Sequence, residues 1–506
     1  MEKHYDYVIV GGGPTGLTLA LYLSKYHHTV AVLEKESSLG GCHSVKRVEG
    51  LFTEHGPRVY LDNYLTFKHL LQKELNTRYE DLFNPYQYGN GDVFRTLLQR
   101  MSVRELVILA TAFLSLNDSY KDRTLEDFVQ ENHFSREAQD ILDRIGRLTD
   151  GGGIGQYTLF SFLQIINQNL LYPGIYEPRK PNDIGLFPLW QTELEKRGVD
   201  VYLDTEIDGL HPTSLISRRE IKKEGGKGGG KKESTHSQTL EWISIKHPPP
   251  NVPSRVYGNR FIFAMPPAQI QQVFQKNHLK TGFHNNFEQW ATDTNYIPYI
   301  PVVFHWNHQF PIKRAWGYPQ TSWGVGYIVM SDYMEFQDVR SKTVISSLIS
   351  MVDRPSDYLG KSPNQISNPA VIIEEVFRQL RTVLGEDLPT YDKAFMSQNT
   401  YDGAKWVPLH TAFMTTTHGY LPFQSRLLEN VYNCGVQNGK SEYVFTSMES
   451  SVVNAIELVY ELVPQSKKDI QIRTPVTFRR VLLWMILLLL IFCGLVFWTG
   501  VGNRRR

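Results

Sequence analysis

The chain has 506 residues, more than a single packed core usually holds, so more than one domain is expected. Hydrophobic residues at 41% and charged residues at 21% exclude a disordered or collagen-like chain. The 53 Lys+Arg against 52 Asp+Glu leave a net charge of +1, too weak a field to attract nucleic acid, so no nucleic-acid partner is expected.

A polar start over 1–6 runs into a short apolar stretch at 7–10 and then glycines, unlike the basic start and longer apolar run of a secretory leader. Residues 5–10 are β-rich. Residues 16–26 carry helical apolar spacing at Leu17, Leu19, Ala20, Leu21 and Leu23, and 29–33 are β-rich again. Together these make one βαβ unit. From 64 to 169 the pattern is mostly helical. Ser102 with Glu105 and Thr124 with Asp127 fit capping boxes, and Ser135 fits a further N-cap. The glycines at 151–153 and 155 follow no strand, which predicts an inter-helix turn rather than a phosphate cradle. A helix over 191–196 and a strand over 199–203 come next. The Lys- and Gly-rich run 218–237 reads as a solvated hairpin loop. Strands are predicted at 260–265, 296–306 and 323–330. His305 and His308 would face opposite sides of such a strand, which excludes a joint ligand role. Asn368 caps a helix with Pro369 in its first turn, running to Leu384. A strand at 430–434 and a helix at 446–462 complete the body.

Residues 466–480 read as a linker, and 481–501 are almost wholly apolar. As a helix this segment covers roughly 30 Å, the thickness of a bilayer's hydrocarbon core. Trp484 and Trp498 lie near its ends, Arg479 and Arg480 precede it, and Arg504, Arg505 and Arg506 follow. The expectation is one membrane-spanning helix with the catalytic body on the cytosolic side. Basic residues on both flanks do not themselves set the orientation. Cys42, Cys434 and Cys493 are too few and too scattered for a disulfide framework or a zinc site, and no His-Glu-x-x-His occurs, so no metal site is expected.

The sharpest local signal is Gly11-x-Gly13-x-x-Gly16, with Pro14 inside it, after a strand and at the start of a helix, with Glu34 ending the next strand. Gly11 permits the turn, Gly13 lets the backbone approach a pyrophosphate, and Gly16 lets helix and strand pack closely. The helix N-terminus offers N–H groups to phosphates, and Glu34 can accept from ribose hydroxyls. This spacing alone leaves NAD and FAD open.

Leu39-Gly40-Gly41-Cys42-His43-Ser44 and Phe52-Thr53-Glu54-His55-Gly56-Pro57-Arg58 follow at once. Here the chain resembles the FAD-linked amine oxidase superfamily, which includes monoamine oxidases, protoporphyrinogen oxidases and phytoene desaturase-like enzymes. A second resemblance lies at Leu186-Phe187-Pro188 and Thr205-Glu206-Ile207, where the family meets the adenine near Ile207. A third lies at Asn430-Val431-Tyr432-Asn433-Cys434-Gly435 and Thr446-Ser447-Met448-Glu449, the family's last flavin segment. The resemblance implies an α/β fold: a Rossmann-like FAD-binding domain from 1–70, 185–268 and 415–465, with an inserted α+β substrate domain from 71–184 and 269–414, plus the C-terminal transmembrane helix. It implies FAD held by Gly11, Gly13, Pro14, Gly16, Glu34, Lys35, Gly41, Cys42, Ile207, Gly435, Val436 and Met448. With no cysteine suited to a flavin link in the stretch before Asn430, the flavin is expected to be non-covalent.

The chain departs from the family in several places. Cys42 stands where many members have an arginine, Val436 where an acid or small polar residue is usual, and Ser450, Ser451 and Ala455 replace small residues or glycine. The strand expected to carry the flavin-side lysine holds none, and Ile300 aligns there. Tyr443 and Ser447, with Phe445 nearby, are the candidate catalytic side chains. These departures move the expectation from a simple amine oxidase to hydride transfer from the C–H of a small, apolar or membrane-associated substrate, such as a lipid. The alternative is an inactive, membrane-tethered binding or scaffold protein. The sequence leaves the oligomeric state open.

Overall fold

The computed structural model of the chain describes residues 3–56, 58–86, 99–156, 158–213, 238–312, 321–411, 414–415, 419–443 and 446–502. The low-complexity run 218–237, Phe445 and the final arginines therefore lie outside the described residues.

The apolar stretches at the N-terminus form β1 (His4–Val10) and β2 (Val30–Leu33), the latter buried along its whole length. Such continuous burial suits parallel strands covered on both faces. They join β3 (Asp200–Tyr202), β4 (Glu206–Pro212), β5 (Leu240–Lys246), β6 (Arg255–Phe263) and β7 (Val431–Asn433) in one sheet of order β3-β2-β1-β6-β5-β4, with β7 also on β6. The pairs β3/β2, β2/β1, β1/β6 and β6/β7 are parallel, whereas β6/β5 and β5/β4 are antiparallel. Ile9 lies opposite Val32 on one side and Ile262 on the other, and Ile262 lies opposite Tyr432. The C-terminal ends of β1, β6 and β7 thus meet at one edge of the sheet. Between β1 and β2, α1 (Pro14–Lys25) begins with Pro14 in its first turn, where a missing N–H costs nothing.

The predicted helical stretch holds α2 (Leu65–Glu74), α3 (Val103–Leu114), the helices Leu125–Glu131 and Arg136–Asp150, and α4 (Leu159–Asn169). A short strand, Phe83–Pro85, interrupts it and pairs with Ile175–Pro178. Both capping boxes form. The Glu105 N–H donates to Ser102 Oγ at 3.3 Å, and the Asp127 N–H to Thr124 Oγ1 at 2.9 Å. Ser135 caps the helix Arg136–Asp150, and its own N–H donates to Glu105 Oε1 at 2.6 Å, so one carboxylate ties two helix starts together. Burial opposes ionisation of Glu105, but the N–H groups of Ser135 and Ser102 overrule it and hold its carboxyl at about 2. Gly151, at φ 79°, ends the helix Arg136–Asp150 in the left-handed region, so the glycine run is a turn as the sequence suggests.

A second, antiparallel sheet runs in the order Val325–Val329, Thr343–Ile349, Ile300–Trp306, Lys393–Phe395. Ile300, Val302, Phe304 and Trp306 share a core with the helix Pro369–Leu384, which Asn368 caps through the Ala370 N–H at 3.0 Å. On the other face Val303 packs with Phe52. His305 is fully buried between Ser341 Oγ (3.0 Å) and the Phe52 carbonyl (2.9 Å), while His308 lies beyond the strand. Burial lowers the His305 ring to about 4.

After β7, α5 (Met448–Leu462) packs on α1, with Leu17 and Leu21 sharing a core with Val452, Ala455, Ile456 and Val459. Fully burying each such side chain contributes about 1.5–3 kcal/mol. The chain ends in α6 (Phe478–Gly502), a helix long and apolar enough to cross a membrane over Phe478–Leu495, with no part of that window buried against the body.

Candidate active site

Two glycine turns stack at the C-terminal edge of the main sheet. Gly11 has φ +112°, and a Cβ there would stand 2.5 Å from the Ala264 carbonyl oxygen. At Gly16 a Cβ would stand 1.9 Å from the Gly11 oxygen, so helix and strand approach as closely as glycine alone permits. The second turn sits on the first: the Gly40 N–H donates to the Gly12 carbonyl at 2.9 Å, and a Cβ on Gly41 would meet Gly13 Cα at 3.2 Å. Around Gly13 itself the nearest atom to an added Cβ is 3.7 Å away, which leaves the backbone open to a ligand.

Glu34 is buried. Its Oε2 accepts from the Gly12 N–H at 2.6 Å and its Oε1 from the Glu36 N–H at 2.9 Å. Burial still raises its carboxyl above the usual range, against the pull of those two N–H groups. The Thr205 N–H donates to the Glu34 carbonyl at 2.8 Å, and Ile207 follows two residues later near the start of β4. Lys35 points outward, 3.6 Å from Glu36.

Cys42 is half-buried, and its carbonyl accepts from Arg58 Nη2 at 2.6 Å. A guanidinium therefore does reach this loop, sixteen residues downstream of where sequence reasoning sought it. Beside it, His43 Nδ1 and the Tyr60 hydroxyl are 3.2 Å apart, and Asn182 Nδ2 donates to Tyr60 at 3.2 Å. Burial, reinforced by Arg58, keeps the His43 ring neutral.

At the far end, Gly435 follows β7 and donates its N–H to Asn438 Oδ1 at 2.9 Å. The Cys434 N–H donates to Phe263, so Gly435 and the Gly11 turn flank the tip of β6. Val436 opens a short turn, Val436–Asn438. Met448 is buried at the start of α5. Ser447 caps that helix by accepting from the Ser450 N–H at 3.0 Å, and Tyr443 donates its hydroxyl to Asn169 Oδ1 at 2.9 Å. Both hydroxyls serve internal bonds.

Sequence reasoning assigned no role to a buried polar cluster beside these turns. Glu54 follows the strand Leu51–Thr53; among the described residues its Oε1 has no hydrogen-bond partner, and neither ring nitrogen of His55 has one. Glu177, on the strand Ile175–Pro178, is fully buried, with both carboxyl oxygens unpartnered among the described residues. Burial pushes Glu54 up to about 7, against Ser346 and Arg58, and raises Glu177 well above the usual carboxyl range, with Glu54 adding to the effect. His55 is held neutral by burial and by Arg58. Gln398 Nε2 is likewise buried and unpartnered, next to Ser397, whose Oγ is 2.7 Å from Thr53 Oγ1. These groups come from four separate parts of the chain, so no local spacing announced them. Ile300, aligned with the family's lysine, faces the core with the helix Pro369–Leu384 and away from Phe52. No cluster of three or more His, Cys, Asp or Glu suited to a metal occurs among the described residues.

Comparison with known proteins bears on the fold. The family description "NAD(P)-binding Rossmann-like domain" matches residues 9–73. Putrescine oxidase, solved bound to putrescine, superposes with a TM-score of 0.61 at 12% identity, covering 92% of this chain and 100% of that one. Cyclohexylamine oxidase from Brevibacterium oxydans IH-35A gives 0.58 at 11% identity, covering 91% and 99%. A putative protoporphyrinogen oxidase from Exiguobacterium sp. 255-15 gives 0.55 at 14% identity, covering 92% and 99%. The chain also matches a soluble pyridine nucleotide transhydrogenase from Hahella chejuensis at 28% identity over 136 residues, which is 26% of each protein.

The resemblance expected from the motifs is therefore shown as a likeness of fold. The chain has the FAD-linked amine oxidase fold, with a Rossmann-like nucleotide-binding unit at its N-terminal end.

Proposed function

We propose that the chain is an FAD-dependent oxidoreductase acting on a small, amphiphilic substrate. The observation that carries this reading is the convergence of the Gly11–Gly16 turn, Glu34 and the Gly435–Met448 segment at one edge of one sheet. FAD, held non-covalently, supplies an acceptor for a hydride from a substrate C–H. Gly11, Gly13, Pro14, Gly16, Gly41 and Cys42 would hold the pyrophosphate, Glu34 and Lys35 the ribose, and Ile207 the adenine. Gly435, Val436 and Met448 would face the ring end, where the start of α5 favours negative charge. Tyr443 and Ser447 shape that end rather than move protons, because their hydroxyls are already engaged.

The flavin unit takes 1–70, 185–268 and 415–465, and the substrate unit takes 71–184 and 269–414. The segment 481–501 anchors the body to a membrane from the cytosolic side. Buried carboxyls without partners are costly, so Glu54 and Glu177 are best satisfied by a basic or proton-donating head on an otherwise apolar substrate. A second reading, a tethered module without catalysis, is favoured by one observation: the strand Ile300–Trp306 carries no lysine.

The absorbance spectrum of the purified chain tests both. A flavin band bleached anaerobically by amphiphilic amines or isoprenoid compounds supports the oxidoreductase. A colourless chain that takes up no added FAD overturns it and leaves the tethered module.

A further inference from the structure

A cavity of about 660 Å³ lies at the foot of α6, lined also by the stretch Gly439, Lys440, Ser441 and Glu442. Its lining includes Lys121, Lys440, Arg479 and Arg480, four cations against the two acids Asp118 and Glu442. Lys121 pairs with Asp118 at 2.8 Å. Lys440 stands over the Phe423 ring, and Arg479 donates to the Leu114 carbonyl at 3.1 Å. None of Lys440, Arg479 and Arg480 has a salt-bridge partner among the described residues. Lys440 also lies within the electrostatic reach of Glu457, but four cations against two acids leave the lining net positive, and Arg479 and Arg480 without an ion pair favour an anion.

The position of the cavity narrows the choice of anion. Arg479 and Arg480 belong to the first turn of the apolar helix, so the cavity opens where a bilayer's headgroups would lie. Next to it, α3 turns an apolar face outward: Val103 is 78% exposed, Val107 58% and Leu114 42%. From Leu106 to Leu116 the sequence holds no charge. Phe113 of α3 meets Phe478 of α6 at 6.1 Å between ring centres, so this apolar face continues into the helix. A phosphate would sit among the cations while its acyl chains followed α3 and α6.

We propose that this cavity binds the headgroup phosphate of an anionic phospholipid. The proposal rests on the reading of α6 as a membrane anchor. The full chain in detergent micelles is titrated with dioleoylphosphatidylserine or dioleoylphosphatidylcholine, and bound lipid is counted by native mass spectrometry. Phosphatidylserine should bind at least about tenfold more tightly, and Arg480→Gln and Lys440→Gln should each weaken it about fivefold, the effect of one basic residue at an anionic surface. Equal retention of both lipids, or variants that bind as the parent does, would overturn the site. Displacement by sub-millimolar glycerol 3-phosphate would also overturn it, by showing a soluble phosphate ester to be the ligand. Co-sedimentation with pure phosphatidylcholine vesicles separates the two claims. A chain that inserts there but shows no lipid preference refutes the headgroup site alone; one that fails to insert refutes the anchor and the site with it.

Discussion

The nucleotide end and the acidic cluster lie close together but are built on opposite terms. Around Gly11–Gly16 the polar groups answer one another within the chain: Glu34 uses both oxygens on backbone N–H groups, and the Gly40 N–H closes on Gly12. Around Glu54, His55 and Glu177 they do so only in part: among the described residues Glu54 Oε1, both His55 ring nitrogens and both Glu177 oxygens lack a hydrogen-bond partner. The first region is finished before any ligand arrives. The second keeps an electrostatic debt that only protonation or a bound molecule can settle.

The contrast breaks most visibly at Gly16. Gly16→Val puts a side chain where even a Cβ would lie 1.9 Å from the Gly11 oxygen, so the chain should retain no flavin and lose its cooperative melt. Retention of the flavin band would show that the turn is not rigid.

Glu54 sharpens the other side. Its carboxyl stands at about 7 in the folded chain against an ordinary 4.5, so the folded state holds the extra proton between those values. Stability contributed by that proton is present below pH 4.5 and lost as pH rises to 7, by about 3 kcal/mol for such a shift. Glu54→Gln should therefore flatten the denaturation midpoint across this window and raise stability at pH 8 by about 2 kcal/mol. A midpoint that falls instead would mean that Glu54 is already paired.

Arg58→Ala removes the guanidinium that reaches Cys42 and should weaken flavin retention about tenfold, read by equilibrium dialysis, the scale of one charge-assisted hydrogen bond. An unchanged affinity would place Arg58 outside the nucleotide end. The smallest effect is expected far from both regions: Ser102→Ala should cost about 1 kcal/mol in denaturant unfolding and leave the spectrum unaltered.

The glycine turn and the helix caps are legible in the sequence because their logic is local. Gly11, Gly13, Gly16 and Glu34 lie within one βαβ unit, and the caps at Ser102, Thr124, Ser135 and Asn368 each announce themselves within a few residues. Glu177 could not be read that way. It meets the region of Glu54 only because Ile175 and Tyr176 pair with Leu61 and Tyr60 across a long excursion of chain. Arg58 was in view but unassigned, since nothing in the order of residues says that it folds back to Cys42. In the sequence Glu449 reads only as part of a helix start, yet its two oxygens accept from the Thr66 and Phe67 N–H groups, clamping α2 to α5. Ser447 was placed correctly at the start of α5, but its hydroxyl is committed to the cap.

The stretch leading into α6 is stitched down rather than slack. The Arg473 N–H donates to Thr66 Oγ1, the Val476 N–H to the Tyr172 hydroxyl, and the Arg479 N–H to Asn167 Oδ1. A stalk fastened at three points acts as a bracket and not as a leash. Were α6 to span a membrane, its tilt would dictate which side of the body faces that surface.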